Sequence, residues 1–273
     1  MDSVIRKLIT YSYNILGSYE DAKDLVQDTI EKYISLDKSN IENETNFLIK
    51  SVINHSINFK KRNKRTSKFG VWLPEPLSTD SPDRRIIKEH TASYSLLVLM
   101  EKLNARERAV FILKEGFDYS HDEIADVLEI SSENSRQLFS RARKVLGQVS
   151  YYTVKSKSKK LKEYIEAVAS GDVKSLEKLL MDDIRIFADG GDKVKVIKDF
   201  ILGKKESIQL LLFVFNNFQS KLRYTFTTIN HLPAICFYDQ HRIIYCQIFR
   251  FNDSKITEVY AIVDYEKLMN LSP

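Results

Sequence analysis

The hydrophobic positions of the first 65 residues recur at the three- and four-residue spacing of amphipathic helices. An apolar face that begins at Val4 predicts a first helix, ending near Gly17, a residue type suited to a helix C-cap. Ser18 has the type and position of an N-cap for a second helix, which carries acidic residues in its first turns. A third helix is predicted from about Glu44 to Arg65. The N-terminal region is therefore expected to be all helical.

Residues 66–90 interrupt this helical pattern and have the composition of a linker. They contain Gly70, three of the five prolines, and clusters of serine, threonine and aspartate. The single tryptophan of the chain lies here, in the segment Trp72-Leu73-Pro74-Glu75-Pro76-Leu77. An apolar, proline-stiffened segment inside a polar linker predicts that another part of the molecule provides a surface on which it docks.

Residues 91–149 return to helical spacing, in four segments with clear boundaries. Ser120 and Glu123 have the spacing of a capping box. The last two helices, expected at 123–129 and 133–146, match a helix-turn-helix, whose second helix enters the major groove of DNA. Arginine and glutamine on that second helix are types that read base edges and bind phosphates. An amphipathic hairpin with a solvated basic face is the alternative interpretation of this segment.

Residues 161–271 change from helices to a series of strand-like runs. In chain order the predicted elements are helices at 162–170 and 173–180, strands at 184–188 and 194–197, a helix around 205–218, and strands at 222–229, 234–238, 243–251 and 256–263. Helices followed by a meander of strands predict an α+β domain. Cys236 and Cys246 fall on neighbouring strands, where we expect buried, reduced thiols.

Composition excludes several classes of protein. A length of 273 residues corresponds to about two domains, and 43% hydrophobic with 29% charged residues is ordinary for globular protein. No stretch approaches the roughly 18–20 apolar residues of a membrane helix, and the N-terminus lacks a secretion-signal pattern. Two cysteines are too few for a disulfide scaffold. We expect a cytoplasmic protein that uses no membrane, metal or cofactor.

The net charge of +5, from 42 basic and 37 acidic residues, is confined to two short blocks. Residues 59–70 hold six basic residues and residues 150–160 hold four, and neither block contains an acid. Such blocks favour polyanions, because each neutralised phosphate releases counterions. The second block alternates serine with lysine, which is typical of a flexible connector. The role of the first block depends on the residues around it.

The N-terminal stretch Leu16-Gly17-Ser18-Tyr19-Glu20-Asp21-Ala22-Lys23-Asp24-Leu25-Val26-Gln27-Asp28-Thr29 resembles a signature of bacterial sigma factors of the extracytoplasmic-function (ECF) type. In that family this helix binds the coiled-coil clamp of the β′ subunit of core RNA polymerase. The resemblance implies that Asp24, Gln27 and Asp28 make this contact. It also implies core polymerase, through its β′ and β subunits, and promoter DNA as partners.

The third helix resembles the part of these factors that melts and reads the −10 element. A melted strand needs a basic groove and groups that hold or stack on bases. The resemblance implies this role for Asn54, His55, Asn58, Phe59, Lys60, Lys61, Arg62, Lys64 and Arg65. The helix-turn-helix resembles the domain that reads the −35 element, which implies DNA contacts from Ser135, Arg136, Gln137, Ser140, Arg141, Arg143 and Lys144.

The tryptophan-containing segment and the C-terminal region together resemble the ECF subgroup with a fused SnoaL-like domain, which has the cone-shaped α+β fold of ketosteroid isomerase. A glycine-rich motif of that subgroup stands here as Asp189-Gly190-Gly191-Asp192-Lys193, and a second motif only as Asp264-Tyr265-Glu266-Lys267-Leu268. The resemblance implies regulation in cis, without a separate anti-sigma factor. Asp189, Gly190, Gly191 and Lys193 are expected to contact the residues Trp72, Leu73, Pro74, Glu75, Pro76 and Leu77, or a sigma domain. A plain β-turn is the alternative, since Gly-Gly favours one without any function.

The predicted fold class is multidomain, with two all-α sigma domains followed by an α+β cone-shaped barrel. The expected boundaries are 1–66 for sigma region 2, 67–91 for the linker, 92–149 for sigma region 4, 150–160 for a basic linker and 161–273 for the SnoaL-like domain.

The predicted function is a sigma factor that directs promoter-specific transcription initiation and is not an enzyme. The alternative is a helix-turn-helix regulator whose C-terminal domain senses or converts an unknown small ligand. Asp189, Asp239, His231 and His241 are candidate acids and bases there, but their spacing singles out no acid–base pair. An open cavity lined by a buried carboxylate favours such chemistry, whereas a filled interior favours a regulatory module.

Overall fold

The computed structural model describes residues 2–39, 41–63, 65–78, 90–147 and 158–271. The chain divides into two compact units. The first unit comprises Met1–Lys64 and Ser81–Tyr152, and the second comprises Arg65–Asp80 and Thr153–Pro273. Lys64, residues 79–89 of the expected linker and residues 150–157 of the expected basic linker lie outside the described residues.

The first unit begins with the three helices that the hydrophobic spacing predicts: α1 (Asp2–Leu16), α2 (Tyr19–Ile34) and α3 (Glu44–Arg62). Ser18 caps α2, since its hydroxyl accepts a hydrogen bond from the backbone N–H of Asp21. The third helix ends three residues earlier than predicted, because Asn63 leaves the helical backbone angles. Arg65 therefore lies beyond the helix rather than on it.

The remaining described helices of the first unit are α4 (Tyr94–Met100), α5 (Ala105–Gly116), α6 (His121–Leu128) and α7 (Ser132–Leu146). Asn104 with Glu107, and Ser120 with Glu123, form complete capping boxes. Glu129 adopts a left-handed conformation at the end of α6, and Ser131 caps α7. The predicted helix-turn-helix is therefore α6, a short turn and α7, and it packs against α5.

The two sets of helices in this unit share one interior. Helices α1, α2 and α3 pack against one another, and α3 also packs against α5 and α6. Leu8, Tyr11, Ile53 and Phe111 are at most 1% exposed. Contacts between distant parts of the chain include the hydroxyls of Tyr11 and Tyr119, which lie 2.9 Å apart. The position of α3 is consequently fixed by helices from both ends of the unit.

The second unit is an α+β domain, as the sequence predicts. Its elements are α8 (Ser158–Ser170), α9 (Val173–Leu179), β1 (Leu180–Asp189), β2 (Ile201–Leu202), α10 (Lys204–Val214), a π-helical segment (Phe215–Gln219), β3 (Arg223–Ile229), β4 (Leu232–Asp239), β5 (Arg242–Asn252), β6 (Lys255–Ile262) and α11 (Tyr265–Leu268). The sheet has the order β2-β1-β6-β5-β4-β3. Only the β1–β6 pairing is parallel among those described, so β1 and β6 bring the start and end of the domain together.

Two predicted elements of this domain are wrong in detail. No strand forms at 194–197, because the backbone N–H of Val194 closes a turn onto the carbonyl of Gly190, 3.0 Å away. The short strand β2 follows later, at Ile201–Leu202. The helix predicted around 205–218 ends at Val214 and continues as the π-helical segment. Local periodicity does not distinguish an α-helical turn from a π-helical turn, since both are helical and differ only in which carbonyl accepts each backbone hydrogen bond.

Side chains fill the space between the helices and one face of the sheet. Ile186 on β1, Phe237 on β4 and Phe249 on β5 face this core, which residues of α8, α9 and α10 complete. Cys236 and Cys246 lie opposite each other on β4 and β5; both are free and buried, with their sulfur atoms 3.7 Å apart. Among the described residues, no helix is both long enough and apolar enough to cross a membrane.

Candidate functional site

Helix α2 separates a buried face from a polar one. Ala22, Leu25, Val26 and Thr29 are buried, because they recur at helical spacing toward α1 and α3. Asp24, Gln27 and Asp28, the residues expected to contact core polymerase, are all exposed on the other face. The Gln27 side chain donates a hydrogen bond to Glu31, 3.0 Å away. This face is therefore acidic, ordered by its own helix, and open to a basic partner.

The residues expected to hold a melted DNA strand do not all point the same way on α3. His55, Asn58, Lys61 and Arg62 are exposed, and Arg65 is exposed beyond the helix. Asn54, Phe59 and Lys60 are half-buried. The Asn54 amide donates to the backbone carbonyl of Val127 in α6, at 2.8 Å. One of the expected DNA ligands is therefore engaged by the helix-turn-helix.

Lys60 is also engaged within this unit. Its ammonium donates to both carboxylate oxygens of Glu101, at 3.1 and 3.3 Å. Arg108, which is fully buried, donates to the same carboxylate and also to the backbone carbonyl of Asn14. Burial and the neighbouring Arg108 lower the pKa of Lys60 to about 8, although Glu101 opposes this shift. Burial disfavours ionised Glu101, but Arg108 and Lys60 outweigh it and hold the pKa of Glu101 below its ordinary value.

Helix α7 presents most of its expected DNA-contacting residues to solvent. The exposed residues are Arg136, Gln137, Ser140, Arg141, Arg143 and Lys144. Gln137 donates to Glu133 at 3.3 Å, and Arg143 pairs with Glu115 of α5 at 2.7 Å. These intramolecular partners are exposed or half-buried acids, so DNA phosphates can replace them at little cost.

The prediction for Ser135 requires a correction. This residue is fully buried, and its hydroxyl lies 2.9 Å from Nδ1 of His121 at the start of α6. Burial, together with the charges of Lys114 and Arg136, lowers the pKa of His121. Ser135 therefore joins the two helices of the motif and cannot reach a DNA base from this position. Its place on the inner face follows from its spacing to the buried Leu138 and Ala142.

Residues 65–78 cross the sheet of the second unit as an extended strap. At one end Gly70 pairs with Asp189 at the end of β1, and at the other Ser78 pairs with Ile229 at the end of β3. These two strands lie at nearly opposite sides of the sheet. Between them, Leu73 and Leu77 are at most 1% exposed. The docking surface predicted for the tryptophan-containing segment is thus present within this unit.

The buried carboxylate of Asp189 holds the centre of this contact. Oδ2 accepts from the backbone N–H of Leu73 at 2.8 Å and from the ammonium of Lys267, while Oδ1 accepts from the hydroxyl of Ser67 at 2.8 Å. Lys267 also donates to the Leu73 carbonyl at 2.6 Å and lies 4.4 Å from the centre of the Trp72 ring. Burial lowers the pKa of Lys267 although Asp189 favours its charged form.

The glycines of the Asp189–Lys193 motif allow a tight turn beside the strap. A Cβ atom on Gly190 would lie 1.8 Å from the carbonyl oxygen of Val194, so no other residue fits there. Gly191 has a φ of +57°, and its carbonyl accepts from the backbone N–H of Phe69 at 3.0 Å. Lys193 is exposed and pairs with Glu266 at 3.3 Å, whereas Asp189 and Gly191 bond to the strap.

Three residues of this contact are not among the contact residues predicted from the sequence. Lys267 binds Asp189, Asn270 donates to the buried Glu75 at 2.7 Å, and Asn230 accepts from the backbone N–H of Leu77 at 2.8 Å. The sequence signal for Lys267 is its place in residues 264–268, where the lysine and the leucine that follows it agree with the family motif. Nothing in the sequence marks Asn230, because its role depends on a left-handed turn between β3 and β4.

The candidate acids and bases of this unit do not assemble into an acid–base pair. Asp189 is engaged by the strap, whereas Asp239 and His241 are exposed and His231 is half-buried. A groove of about 540 Å³ beside β3 and β4 has Arg223, Tyr238 and His241 among its lining residues, and none of the described lining residues is a carboxylate. The buried carboxylate of Glu258 pairs instead with Arg185 at 2.6 Å and Arg250 at 3.1 Å.

Comparison with protein families and curated proteins gives further findings. The sigma-70 region 4 family model matches residues 93–146, the stretch that contains α4 to α7. The chain is 25% identical to the ECF RNA polymerase sigma factor SigJ of Mycobacterium tuberculosis over 222 residues, which is 77% of this chain and 70% of that protein. A probable ECF RNA polymerase sigma factor, SigI, of the same species is 25% identical over 182 residues, 63% of each chain.

The crystal structure of M. tuberculosis SigJ has the same fold as this chain. The TM-score is 0.80 at 22% sequence identity, and the match covers 99% of this chain and 97% of SigJ. This similarity includes both helical parts and the C-terminal mixed sheet, so the predicted fold class, helical domains followed by an α+β domain, is confirmed.

Proposed function

We propose that this chain, a homologue of the ECF sigma factors with a sigma-70 region 4 domain, binds core RNA polymerase and directs it to specific promoters in the cytoplasm. The observation that carries the proposal is the first unit, in which the region 4 helix-turn-helix accompanies an acidic exposed face on α2 and a basic end on α3. Asp24, Gln27 and Asp28 serve as polymerase contacts. The chemistry of RNA synthesis belongs to the polymerase, so the chain itself is not an enzyme.

Promoter recognition is divided between two helices. On α7, Arg136 and Gln137 are exposed near the N-terminal end, the part of a recognition helix that reaches base edges. Ser140, Arg141, Arg143 and Lys144 extend the polar face toward phosphates. The melted −10 strand is bound by α3, through the exposed His55, Asn58, Lys61 and Arg62 together with Asn54, Phe59 and Lys60.

The strap supports the proposal of regulation in cis. Residues 65–78 leave α3, and the chain later enters α4, so they belong to the connection between the two DNA-reading parts. Their docking on Asp189, Lys267 and Asn230 shortens the free length of that connection. A tethered surface acts at high effective concentration, so a separate anti-sigma factor is not needed. The second unit thereby sets how readily α3 and α7 engage a promoter.

In vitro transcription tests the proposal. Purified full-length chain is mixed with core polymerase and a library of randomised promoters, and the initiated transcripts are sequenced. We expect initiation from a defined subset with one sequence in the −10 and one in the −35 region. Substitution of Asp24, Gln27 and Asp28 by alanine should abolish it, whereas Lys193→Ala should not. Absence of promoter-dependent initiation by the full chain refutes the proposal.

A further inference from the structure

Three groups along α3 are matched by acceptors from the other end of the first unit. Lys50 pairs with Asp126 at 2.7 Å, Asn54 donates to the Val127 carbonyl at 2.8 Å, and Lys60 pairs with Glu101. Ten residues separate Lys50 from Lys60, which is about 15 Å along a helix axis. The contact thus includes Asn54 and Lys60, two of the residues that the proposed function assigns to single-stranded DNA, and Lys50 extends it toward the start of α3.

The chemistry of these partners resembles that of a nucleic-acid strand. Two carboxylates face two ammonium groups, as phosphates do, and a carbonyl oxygen accepts from an asparagine amide, as a base carbonyl does. Glu101 and Asp126 come from different places, the end of α4 and the helix α6. Their common property is a negative charge placed against a cation of α3.

We propose that the α4–α6 part of this chain is an intramolecular nucleic-acid mimic, in which Glu101, Asp126 and the Val127 carbonyl occupy the single-stranded-DNA surface of α3. The proposal rests on the proposed function for the identity of the competing ligand. The closed arrangement and a bound DNA strand exclude each other, because Asn54 and Lys60 cannot serve both. The free chain therefore binds single-stranded DNA only from its open fraction, which lowers its apparent affinity by that fraction.

The strength of the two ion pairs differs with their exposure. The side chains of Lys60 and Glu101 are 13% and 24% exposed, and Glu101 is held in place by the fully buried Arg108. Lys50 and Asp126 are 38% and 69% exposed. Exposed pairs contribute little, whereas removal of one partner from a buried pair has a large effect. Glu101 is therefore the principal element of the mimic, and Asp126 supports it.

Fluorescence anisotropy with a labelled 20-nucleotide mixed-sequence single-stranded DNA tests the proposal on the full chain at about 0.1 M salt. Glu101→Gln should raise the affinity about tenfold or more, and Asp126→Asn about two- to fivefold. Glu129→Gln is the matched control: it removes the same charge from an exposed residue directly after α6. Because no hydrogen bond or ion pair joins the Glu129 side chain to α3 among the described residues, its substitution should leave the affinity within about 1.5-fold.

Two outcomes overturn the proposal. One is an equal increase in DNA affinity in all three variants, which reflects net charge alone. The other is that Glu101→Gln and Asp126→Asn bind DNA no more tightly than Glu129→Gln. Thermal unfolding shows whether each variant is folded, and the exposed Asp126 keeps the test valid if Glu101→Gln unfolds. In parallel, the wild-type chain is assayed for initiation with core polymerase. If the variants bind DNA more tightly but the wild type does not initiate transcription, the sigma-factor function alone is refuted. If the wild type initiates transcription but the variants do not bind DNA more tightly, the mimic alone is refuted.

Discussion

The ammonium of Lys267 binds the buried carboxylate of Asp189, 78 residues away in the chain, and also donates to the carbonyl of Leu73, 2.6 Å away. One lysine thus joins the last helix, the first long strand and the strap of the second unit. Asp189 is fully buried and Lys267 nearly so, which makes the two charges dependent on each other. The strap is held by a compensated charge pair and not only by apolar side chains.

Asp189→Ala should destabilise the second unit strongly. It leaves the ammonium of Lys267 without its carboxylate and the backbone N–H of Leu73 without an acceptor. Removal of one member of a buried ion pair costs about 3–5 kcal/mol, which urea unfolding of the full chain will measure. Lys193→Ala is the control, since its exposed partner Glu266 gives a pair worth under about 1 kcal/mol. Equal effects of both substitutions contradict the assigned role of Asp189.

Tryptophan fluorescence should report the docking of the strap. Trp72 is the single tryptophan of the chain, and Lys267 lies over its ring. Asp189→Asn removes the charge that fixes Lys267 and weakens the docking, so we expect emission at longer wavelength and stronger quenching by acrylamide. Lys193→Ala should retain the wild-type spectrum. Identical spectra for Asp189→Asn and the wild type, both folded by circular dichroism, count against a docked strap controlled by Asp189.

Alkaline pH should stabilise the first unit through Lys60. Its pKa is about 8 in the folded chain and about 10.4 when unfolded. Between these values the unfolded state binds more protons, so the free energy of unfolding rises with pH. Glu101 and Arg108 are the charged groups facing Lys60. The pKa of Glu101 lies below its ordinary value, so Glu101 stays ionised over this range.

Comparison with Lys60→Met isolates this contribution. We expect the difference in unfolding free energy between the wild type and Lys60→Met to increase by about 1–3 kcal/mol from pH 8 to pH 10.4. Urea unfolding of both proteins at several pH values measures it. A difference that stays constant across this range shows that Lys60 keeps an ordinary pKa and is not enclosed.

Substitutions at Ser135 and Gln137 should distinguish a structural role on α7 from the proposed DNA-reading role. Ser135→Ala removes a buried hydrogen bond to His121 and should cost about 1–3 kcal/mol of stability, with no change in promoter sequence. Gln137→Ala, at an exposed position, should change stability by less than about 0.5 kcal/mol and alter the selected −35 sequence. Urea unfolding measures the two stability changes. Selection from a promoter library with core polymerase measures the −35 preference of both variants. A changed −35 preference in Ser135→Ala indicates that the buried position is wrong.

The sequence alone predicts the helices of the first unit, because caps and amphipathic spacing are local properties. Ser18, Ser120 and Glu123 mark boundaries through hydrogen bonds within one helical turn. The strand meander of the second unit is also predictable from alternation. The absence of a strand at 194–197 is not predictable in this way, because a short apolar segment forms a strand only if a distant part of the chain pairs with it. In the folded chain, Gly70 of the strap pairs with Asp189 at the end of β1.

The sequence also determined which charged and polar residue types are available for the proposed binding of polymerase and DNA, since charge and polarity are properties of the amino-acid sequence itself. Only the tertiary structure decided which of them are free to bind. Asn54 and Lys60 face acceptors on distant helices, Ser135 is buried, and Lys267 is added to the contact around Asp189. Burial and long-range hydrogen bonding depend on packing between elements far apart in sequence, so no local pattern contains them.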